Sequence, residues 1–491
     1  MNRKTKFFAL ILGLILSQSI PNVLSAQISG KWHGKLIINE KTNLTVAFEI
    51  NENRAGKLSS VMHSVDQKAF NIPVDTVYAE GTNVILVINS LAAKYTGQLI
   101  NKDGIAGQMA FPGGAHMKLD LQRVDTFPFS IAERPQEPKD PLPYFSDDIE
   151  FLNKKLGIKL KGTITTPSKE GQYPAVVLLS GSGASDRNQT IFGHKTFLVM
   201  SDFLTRAGFA VLRYDDRGAA ESEGSFLSAT ILDHAEDAAY AVDFLKSREF
   251  VDTLSIGLLG HSLGADIAPV TATINPSVSF VILIAGAAKP LQEIILEQCD
   301  AIYPTMGISD SATTLNKDIL QSLFEVVRVA PDTKVAREQG ALILKQFEER
   351  ASALTQEDKN LIGYSTPLDI KTWSGLFIPY MKHDLFHDNE RYLKQLKCPV
   401  LVIGGDKDLQ VLPHHVKLIE DILVSNGNKR VTAKIYPGKN HLLQDAITGS
   451  PSEYGDIENT IAPDVINEII HWLRTKTGSI PRTTGRIPRI N

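Results

Sequence analysis

The feature that most restricts this chain is the stretch Leu254 to Ala265, LSIGLLGHSLGA. An apolar run empties into Gly260-His261-Ser262-Leu263-Gly264, and small residues follow. A G-x-S-x-G pattern directly after a buried strand and directly before a helix demands a tight strand-to-helix turn. Such a turn strains its central residue and holds that side chain clear of the backbone. Gly260 and Gly264 let two backbones cross closely. Ser262 is therefore the candidate nucleophile. The pentapeptide alone can arise by chance, so the rest of the chain must supply a base, an acid and an oxyanion hole.

The surroundings of the motif set the fold class. Ile149–Lys154 and Ile158–Thr166 read as a hairpin through Lys155-Leu156-Gly157. Ala175–Leu179, Ala210–Tyr214, the strand ending at Ser262, Val278–Ile284, Val400–Ile403 and Val431–Tyr436 follow as short apolar runs. Helical periodicity lies between them, over Phe197–Arg206 and Ile231–Lys246. Repeated strand, helix, strand predicts an α/β core: a mostly parallel eight-stranded sheet with an antiparallel start and helices on both faces. The alternation stops between 287 and 396. There Ile294–Ile302, Lys317–Val329, Val335–Ala353 and Tyr380–Leu396 carry helical patterns. So long a segment is no loop. It reads as a helical cap inserted over the active site, which leaves 147–286 and 397–476 as the core.

A chain of 491 residues is too long for one core. Residues 28–124 read as a separate all-β unit, with eight alternating runs between Lys31 and Val124. Their spacing predicts a small antiparallel barrel or sandwich. The opening Gly30-Lys31-Trp32-His33-Gly34 resembles the first strand of lipocalin-like barrels. Ligand binding, a spacer, a lid and a dimer or substrate-docking surface are all open roles, and homo-oligomerisation is open with them. Residues 125–146 carry Pro128, Pro135, Pro138, Pro141 and Pro143, as a semi-rigid linker does.

At the start, Arg3, Lys4 and Lys6 precede the apolar run Phe7–Leu16, and Leu24-Ser25-Ala26 offers a cleavage site. Residues 1–26 thus read as a secretory signal, which predicts a periplasmic or extracellular protein with no membrane attachment after cleavage. The tail 477–491 reads as disordered. The net charge of −4 gives no electrostatic case for nucleic acid. Cys299 and Cys398 form no disulfide framework; two separate thiols are expected, although export permits a bridge.

A serine hydroxyl needs an adjacent base, and the base needs an orienting acid. In sheets of this kind these residues follow strands, in the order Ser, Asp/Glu, His. Pro399–Asp408 is a strand emptying into an acidic turn. Asp408 is the candidate acid; Asp406 is the alternative, better suited to satisfying turn amides. Only His414, His415, His441 and His471 follow. The first pair begins a helix too close to Asp408, and His471 sits in a terminal helix. His441, in the loop after the last strand, is the candidate base. The oxyanion donors expected are the Leu263 N–H and the Ser182 N–H, with Gly183 next, from the loop Ser180-Gly181-Ser182-Gly183. This chemistry needs no cofactor and no metal. His383 and His387 stand one helical turn apart, a spacing that could hold a metal, but no glutamate base lies between them. His194, His234 and His261 read as core or supporting histidines, His261 being only the variable position of the motif.

From about 147 to 475 the chain resembles the α/β-hydrolase superfamily, and within it the exported bacterial esterase-type hydrolases that carry an extra N-terminal domain. The matching stretches are LLSGSGASDRN, GHKTFL, VLRYDDRG, GLLGHSLGA, CPVLVIGGDKDLQV, YPGKNHLLQ and TGSPSEYG. The resemblance implies Ser262 as nucleophile, Asp408 as acid and His441 as base. It also implies that Asp215-Asp216-Arg217-Gly218 is a structural turn. Many relatives have His-Gly before the oxyanion loop where this chain has Ser180-Gly181; a backbone donor does not depend on that side chain. The expected reaction is hydrolysis of short-chain acyl or acetyl esters, of a small molecule or a saccharide, through an acyl-enzyme. An acyl-thioester hydrolase, a prolyl-oligopeptidase-like peptidase and an exported ligand-binding protein are the alternatives.

Overall fold

The computed structural model describes residues 28–478 apart from 39–42, 54–55, 68, 112–115, 130–133 and 366. The expected signal segment and nearly all of the tail lie outside the described residues.

The N-terminal unit is a nine-stranded antiparallel sheet. Its strands are β1 (Gly30–Ile37), β2 (Asn43–Glu52), β3 (Leu58–Ser64), β4 (Ala69–Val74), β5 (Thr76–Glu80), β6 (Asn83–Ile88), β7 (Ala93–Asn101), β8 (Gly104–Ala110) and β9 (His116–Val124). The spatial order is β4-β3-β2-β1-β9-β8-β7-β6-β5. The fourth run expected from the sequence, Phe70–Tyr78, is two strands broken at Asp75. The break has a physical reason. The two halves belong to opposite ends of the sheet, and Asp75 turns the corner, its N–H bonded to the Val87 carbonyl. Trp32, Phe48, Tyr95, Ile105 and Met109 fill the interior, as in small barrels whose own side chains occupy the centre.

The proline-rich stretch that follows is fastened rather than loose. Phe127 and Phe129 stack against each other and pack around His63 of the barrel. Buried Arg134 donates to the carbonyls of Phe192, Gly193, Gly455 and Ile457. Gln136 bonds the backbone of Thr460 and Ile461. One arginine holding four carbonyls binds the segment to two loops of the next unit.

That unit is an eight-stranded sheet. Its strands are β10 (Phe145–Asn153), β11 (Ile158–Thr166), β12 (Tyr173–Leu179), β15 (Ala210–Tyr214), β16 (Val251–His261), β17 (Val278–Ile284), β18 (Val400–Gly405) and β19 (Val431–Tyr436). A two-residue hairpin, β13 (Thr190–Ile191) and β14 (His194–Lys195), lies outside it. The order is β10-β11-β15-β12-β16-β17-β18-β19. The β10–β11 and β11–β15 pairs are antiparallel, and every later pair is parallel. The central strands read as unbroken apolar runs because both faces are covered. Helices Ile231–Lys246, Leu263–Ile274 and His414–Ser425 pack on one face. Helices Thr196–Arg206 and Pro463–Thr477 pack on the other.

Between β17 and β18 the chain forms a helical layer with its own core around Leu315, Leu323, Phe324, Trp373 and Phe377. Its helices include Leu291–Ile302, Asp310–Val329 and Thr333–Leu344. The run expected over Tyr380–Leu396 is two short helices, Met381–Asp384 and Asn389–Leu393. The Asp388 side chain caps the second by accepting the Arg391 N–H, which starts a new helix there. Cys299 and Cys398 are free thiols. Among the described residues no helix is long and apolar enough to cross a membrane.

Candidate active site

Ser262 stands between β16 and helix Leu263–Ile274 with φ 55° and ψ −120°. That conformation is sparsely populated for a non-glycine residue and costs about 1–3 kcal/mol. Close packing enforces it. A Cβ on Gly260 would lie 2.0 Å from the Gly264 carbonyl oxygen, and one on Gly264 would lie 2.1 Å from the Leu179 carbonyl oxygen. The end of β12, the turn and the first helical turn therefore touch backbone to backbone. The Ser262 N–H donates to the Ile284 carbonyl at the end of β17, which fixes the turn against the next strand.

The residues singled out as acid and base meet. His441 Nδ1 and Asp408 Oδ2 are 2.8 Å apart, and both side chains are buried. The other oxygen of Asp408 accepts the N–H groups of Gln410 and Val411 at 2.8 and 2.9 Å. A carboxylate oxygen accepts, so the His441 proton that faces it is on Nδ1. Asp406 is in a different position: it accepts the Gly438 N–H at 2.6 Å and braces the turn. His414 and His415 begin helix His414–Ser425, and His471 lies in helix Pro463–Thr477.

The loop after β12 also runs next to Ser262. A Cβ placed on Gly181 would come within 3.3 Å of the Ser262 Cβ, so the loop runs close past the serine. Ser182, Gly183, Ser262 and Leu263 line one cavity of about 230 Å³ between core and cap. The loop is tied down by Ser180 and Asp216. The Ser180 hydroxyl donates to both carboxylate oxygens of Asp216 at 2.8 Å, and the Ser185 N–H reaches Asp216 at 3.0 Å. Burial pushes the Asp216 carboxyl up to about 7, against these hydrogen bonds. Asp215 holds Arg187, and Arg217 holds Asp237. The Asp215-Asp216-Arg217 cluster thus supports the loop, with its charges turned to structural partners.

Three residues support this arrangement: His261, one of the core or supporting histidines expected from the sequence, and Gln189 and Tyr454, which the sequence does not single out. His261 Nε2–H donates to the His441 carbonyl at 2.9 Å, and its Nδ1 accepts from Gln189 Nε2 at 2.6 Å. Burial pulls His261 down to about 4, so it stays neutral and keeps one donor and one acceptor. The His261 and His441 ring centroids are 5.0 Å apart. The variable position of the motif therefore holds the loop that carries the candidate base. Tyr454 is the third. Its hydroxyl accepts a hydrogen bond from the Gln410 side chain at 3.0 Å, two residues beyond Asp408. Its stretch, TGSPSEYG, is visible in the sequence, but its contact with Gln410 joins positions 44 residues apart.

The metal spacing of His383 and His387 leads elsewhere. His383 Nδ1 bonds Asp384, and the His387 ring stacks on Tyr392. Among the described residues the group close enough to share an ion is Glu297, His414 and His415. Its donor set does not suit one. His415 Nδ1 accepts the Ala288 N–H, so Nε2 carries the proton it donates to Glu297 at 2.8 Å and offers no lone pair.

Comparison with known proteins follows the same lines. Residues 195–445, just over half of the chain, match the family described as serine aminopeptidase, S33. The esterase EstD of Thermotoga maritima is 29% identical over 337 residues, covering 68% of this chain and 70% of that protein. The thiohydrolase apmlB of Arthrinium phaeospermum is 30% identical over 146 residues, covering 30% of this chain and 44% of that protein. Among solved structures, the Pyrococcus furiosus esterase Pf2001 matches at 16% identity and a TM-score of 0.41, over 71% of this chain and 98% of that one. By its sequence match the chain belongs to the S33 serine aminopeptidase family of the α/β-hydrolase superfamily, and it is a hydrolase.

Proposed function

We propose that the protein is an exported serine hydrolase that cleaves short-chain acyl or acetyl esters through an acyl-enzyme. His441 Nε2 takes the Ser262 proton as Oγ attacks the ester carbonyl carbon. Asp408 holds the imidazole and stabilises the imidazolium that forms. The Ser182 and Leu263 amides receive the oxyanion, and the helix N-terminus favours the negative charge there. His441 passes its proton to the leaving alcohol. Water, deprotonated by the same histidine, then attacks the acyl carbon, releases the acid and restores the serine. The observation that carries this reading is the buried 2.8 Å His441–Asp408 bond, with the His441 ring 5.0 Å from that of His261, the residue before a serine held at φ 55°. The resemblance to an esterase named as such supports the ester as the substrate.

The test is a Ser262→Ala variant assayed on a nitrophenyl acetate and butanoate pair. Turnover falls at least a thousandfold, and a fluorophosphonate that labels the parent protein leaves the variant unlabelled. Unchanged turnover overturns the reading. A peptidase is the second reading, favoured by Asp266 and Asp384 on the cavity wall, where a substrate amine could bind. Faster cleavage of amino-acid nitroanilides than of the esters would establish it. Export is tested by locating the protein in cell fractions.

A further inference from the structure

The cavity beside Ser262 carries more polar groups than acyl transfer uses. Asp266, Asp384, His387 and Asn389 all line it. None takes part in moving the Ser262 proton. Asn389 is 3% exposed. Its amide nitrogen donates to Asp266 Oδ1 at 2.8 Å and to the Ala287 carbonyl at 2.7 Å. Both amide hydrogens are thereby used and the orientation is set, yet Asn389 Oδ1 has no partner. His387 is 7% exposed and stacked on Tyr392, and its Nε2 has no partner either. Buried polar atoms are seldom left unpaired, and each such atom calls for an explanation. The two residues that carry them line one cavity beside the candidate nucleophile, and a ligand whose own groups complete them explains the pair.

The chemistry of the set narrows the ligand. Asp266 lies one helical turn after Ser262, and enclosure pushes its carboxyl well above the usual carboxylate range, with Asp384 adding to the push and the Ala287 amide opposing it. A neutral carboxyl donates a hydrogen bond. Asn389 Oδ1 accepts one, and a neutral imidazole nitrogen does either. An anion would meet Asp384 and an acceptor oxygen, and the Lys289 ammonium on the same wall is already held by Glu297 at 3.0 Å. An ammonium only donates, and would have to shed its water in an enclosed site. A hydroxyl both donates and accepts. The remaining wall includes Phe226, Ile294, Met381 and Val411, which suits a hydrocarbon body. At about 30 Å³ per water the 230 Å³ cavity has the volume of roughly eight waters, enough for a ring or a short chain.

We propose that Asp266, His387 and Asn389 form a subsite for a neutral hydroxyl group on the substrate, so that hydroxylated esters are preferred to plain ones. This rests on the ester-hydrolase reading above. The test uses two matched pairs: ethyl 3-(4-hydroxyphenyl)propanoate with ethyl 3-phenylpropanoate, and ethyl 6-hydroxyhexanoate with ethyl hexanoate. An aminomethyl analogue of the phenyl ester is the cationic control. In at least one pair the parent protein shows a kcat/KM ratio of tenfold or more in favour of the hydroxyl. His387→Phe, which can still stack on Tyr392, brings that ratio close to one. Asp266→Asn, whose amide supplies both a donor and an acceptor, retains it. Calorimetric Kd values on Ser262→Ala show the same order without any turnover. A ratio near one in both pairs, by kinetics and by binding, means that water completes these groups and overturns the proposal. Preference for the aminomethyl ester, lost in Asp266→Asn, overturns it in favour of a cation site. Tenfold tighter binding of the hydroxyl compound with no ester turnover leaves the subsite standing and removes the ester chemistry.

Discussion

Gly264→Ala is the sharpest probe of the turn at Ser262. The added Cβ would sit 2.1 Å from the Leu179 carbonyl oxygen, 2.7 Å from its carbon and 2.8 Å from the Ser180 carbonyl oxygen. Real Cβ contacts essentially never fall below 3.0 Å, so helix and strand must part by about 0.9 Å. All three atoms belong to backbone and cannot swing aside. Leu179 and Ser180 lead into the oxyanion loop, and Leu263 is the neighbour of the mutated residue. The displacement therefore opens the gap between the two proposed oxyanion donors by nearly its full amount. A misplacement of 1 Å costs about a hundredfold in rate, and overpacking costs about 1–3 kcal/mol of stability. Steady-state kinetics on nitrophenyl butanoate should show kcat reduced about a hundredfold. KM should move much less, because the donors act on the oxyanion rather than on the bound ester. Denaturant unfolding of the same samples separates this from global loss of fold. A folded Gly264→Ala protein with kcat within twofold of the parent would refute the backbone-contact account of the site.

Other perturbations test the supports. His261→Ala removes the donor to the His441 carbonyl and should lower kcat tenfold or more, whereas His261→Gln, which can still donate, should recover part of it; equal loss in both would show that only packing matters. His261 also links stability to pH. Its folded value is about 4 against 6.5 for the free side chain, so its contribution is whole above pH 6.5 and is lost as pH falls toward 4. At 1.36 kcal/mol per unit the loss is about 3 kcal/mol. The unfolding free energy from denaturant titration should fall further between pH 7 and pH 4 in the parent than in His261→Gln by that amount. Ser180→Ala leaves Asp216 short of its hydroxyl donor and should destabilise by about 1–3 kcal/mol, measured by urea unfolding. Asp75→Ala probes the N-terminal barrel. Asp75 accepts the Ala220 N–H at 2.6 Å, and Asn89 donates to the Gly218 carbonyl at 2.6 Å. Those contacts brace the turn that carries Asp216 and, through it, Ser180. The variant should lower kcat although no described residue of the N-terminal sheet lines the cavity beside Ser262, and an unchanged kcat would sever that link.

Much of the site is legible in the sequence because its chemistry sits where strands end. An apolar strand has a recognisable length, and the residue after it is the residue presented at the sheet edge. That is why Ser262 after β16, Asp408 after β18 and His441 after β19 could be picked from the pattern alone. The choice of Asp408 over Asp406 followed from proximity to the next helix, and the two do differ: one bonds His441, the other a turn amide. Composition and order also gave the α/β class.

Tertiary structure alone decided the rest, because each of the remaining facts depends on residues far apart in the chain. Asp75 could end one strand and start another only because those two strands lie at opposite ends of the sheet, which no local period records. His261 is a variable position by pattern and a brace for the base by contact, 180 residues away. The linker looked like a spacer by its prolines, yet Arg134 reaches loops more than 300 residues on. The unpaired atoms of His387 and Asn389 exist only where cap and core meet. Local sequence determines which element forms and where it ends; which polar atoms are left to recognise a substrate is determined by how those elements are brought together.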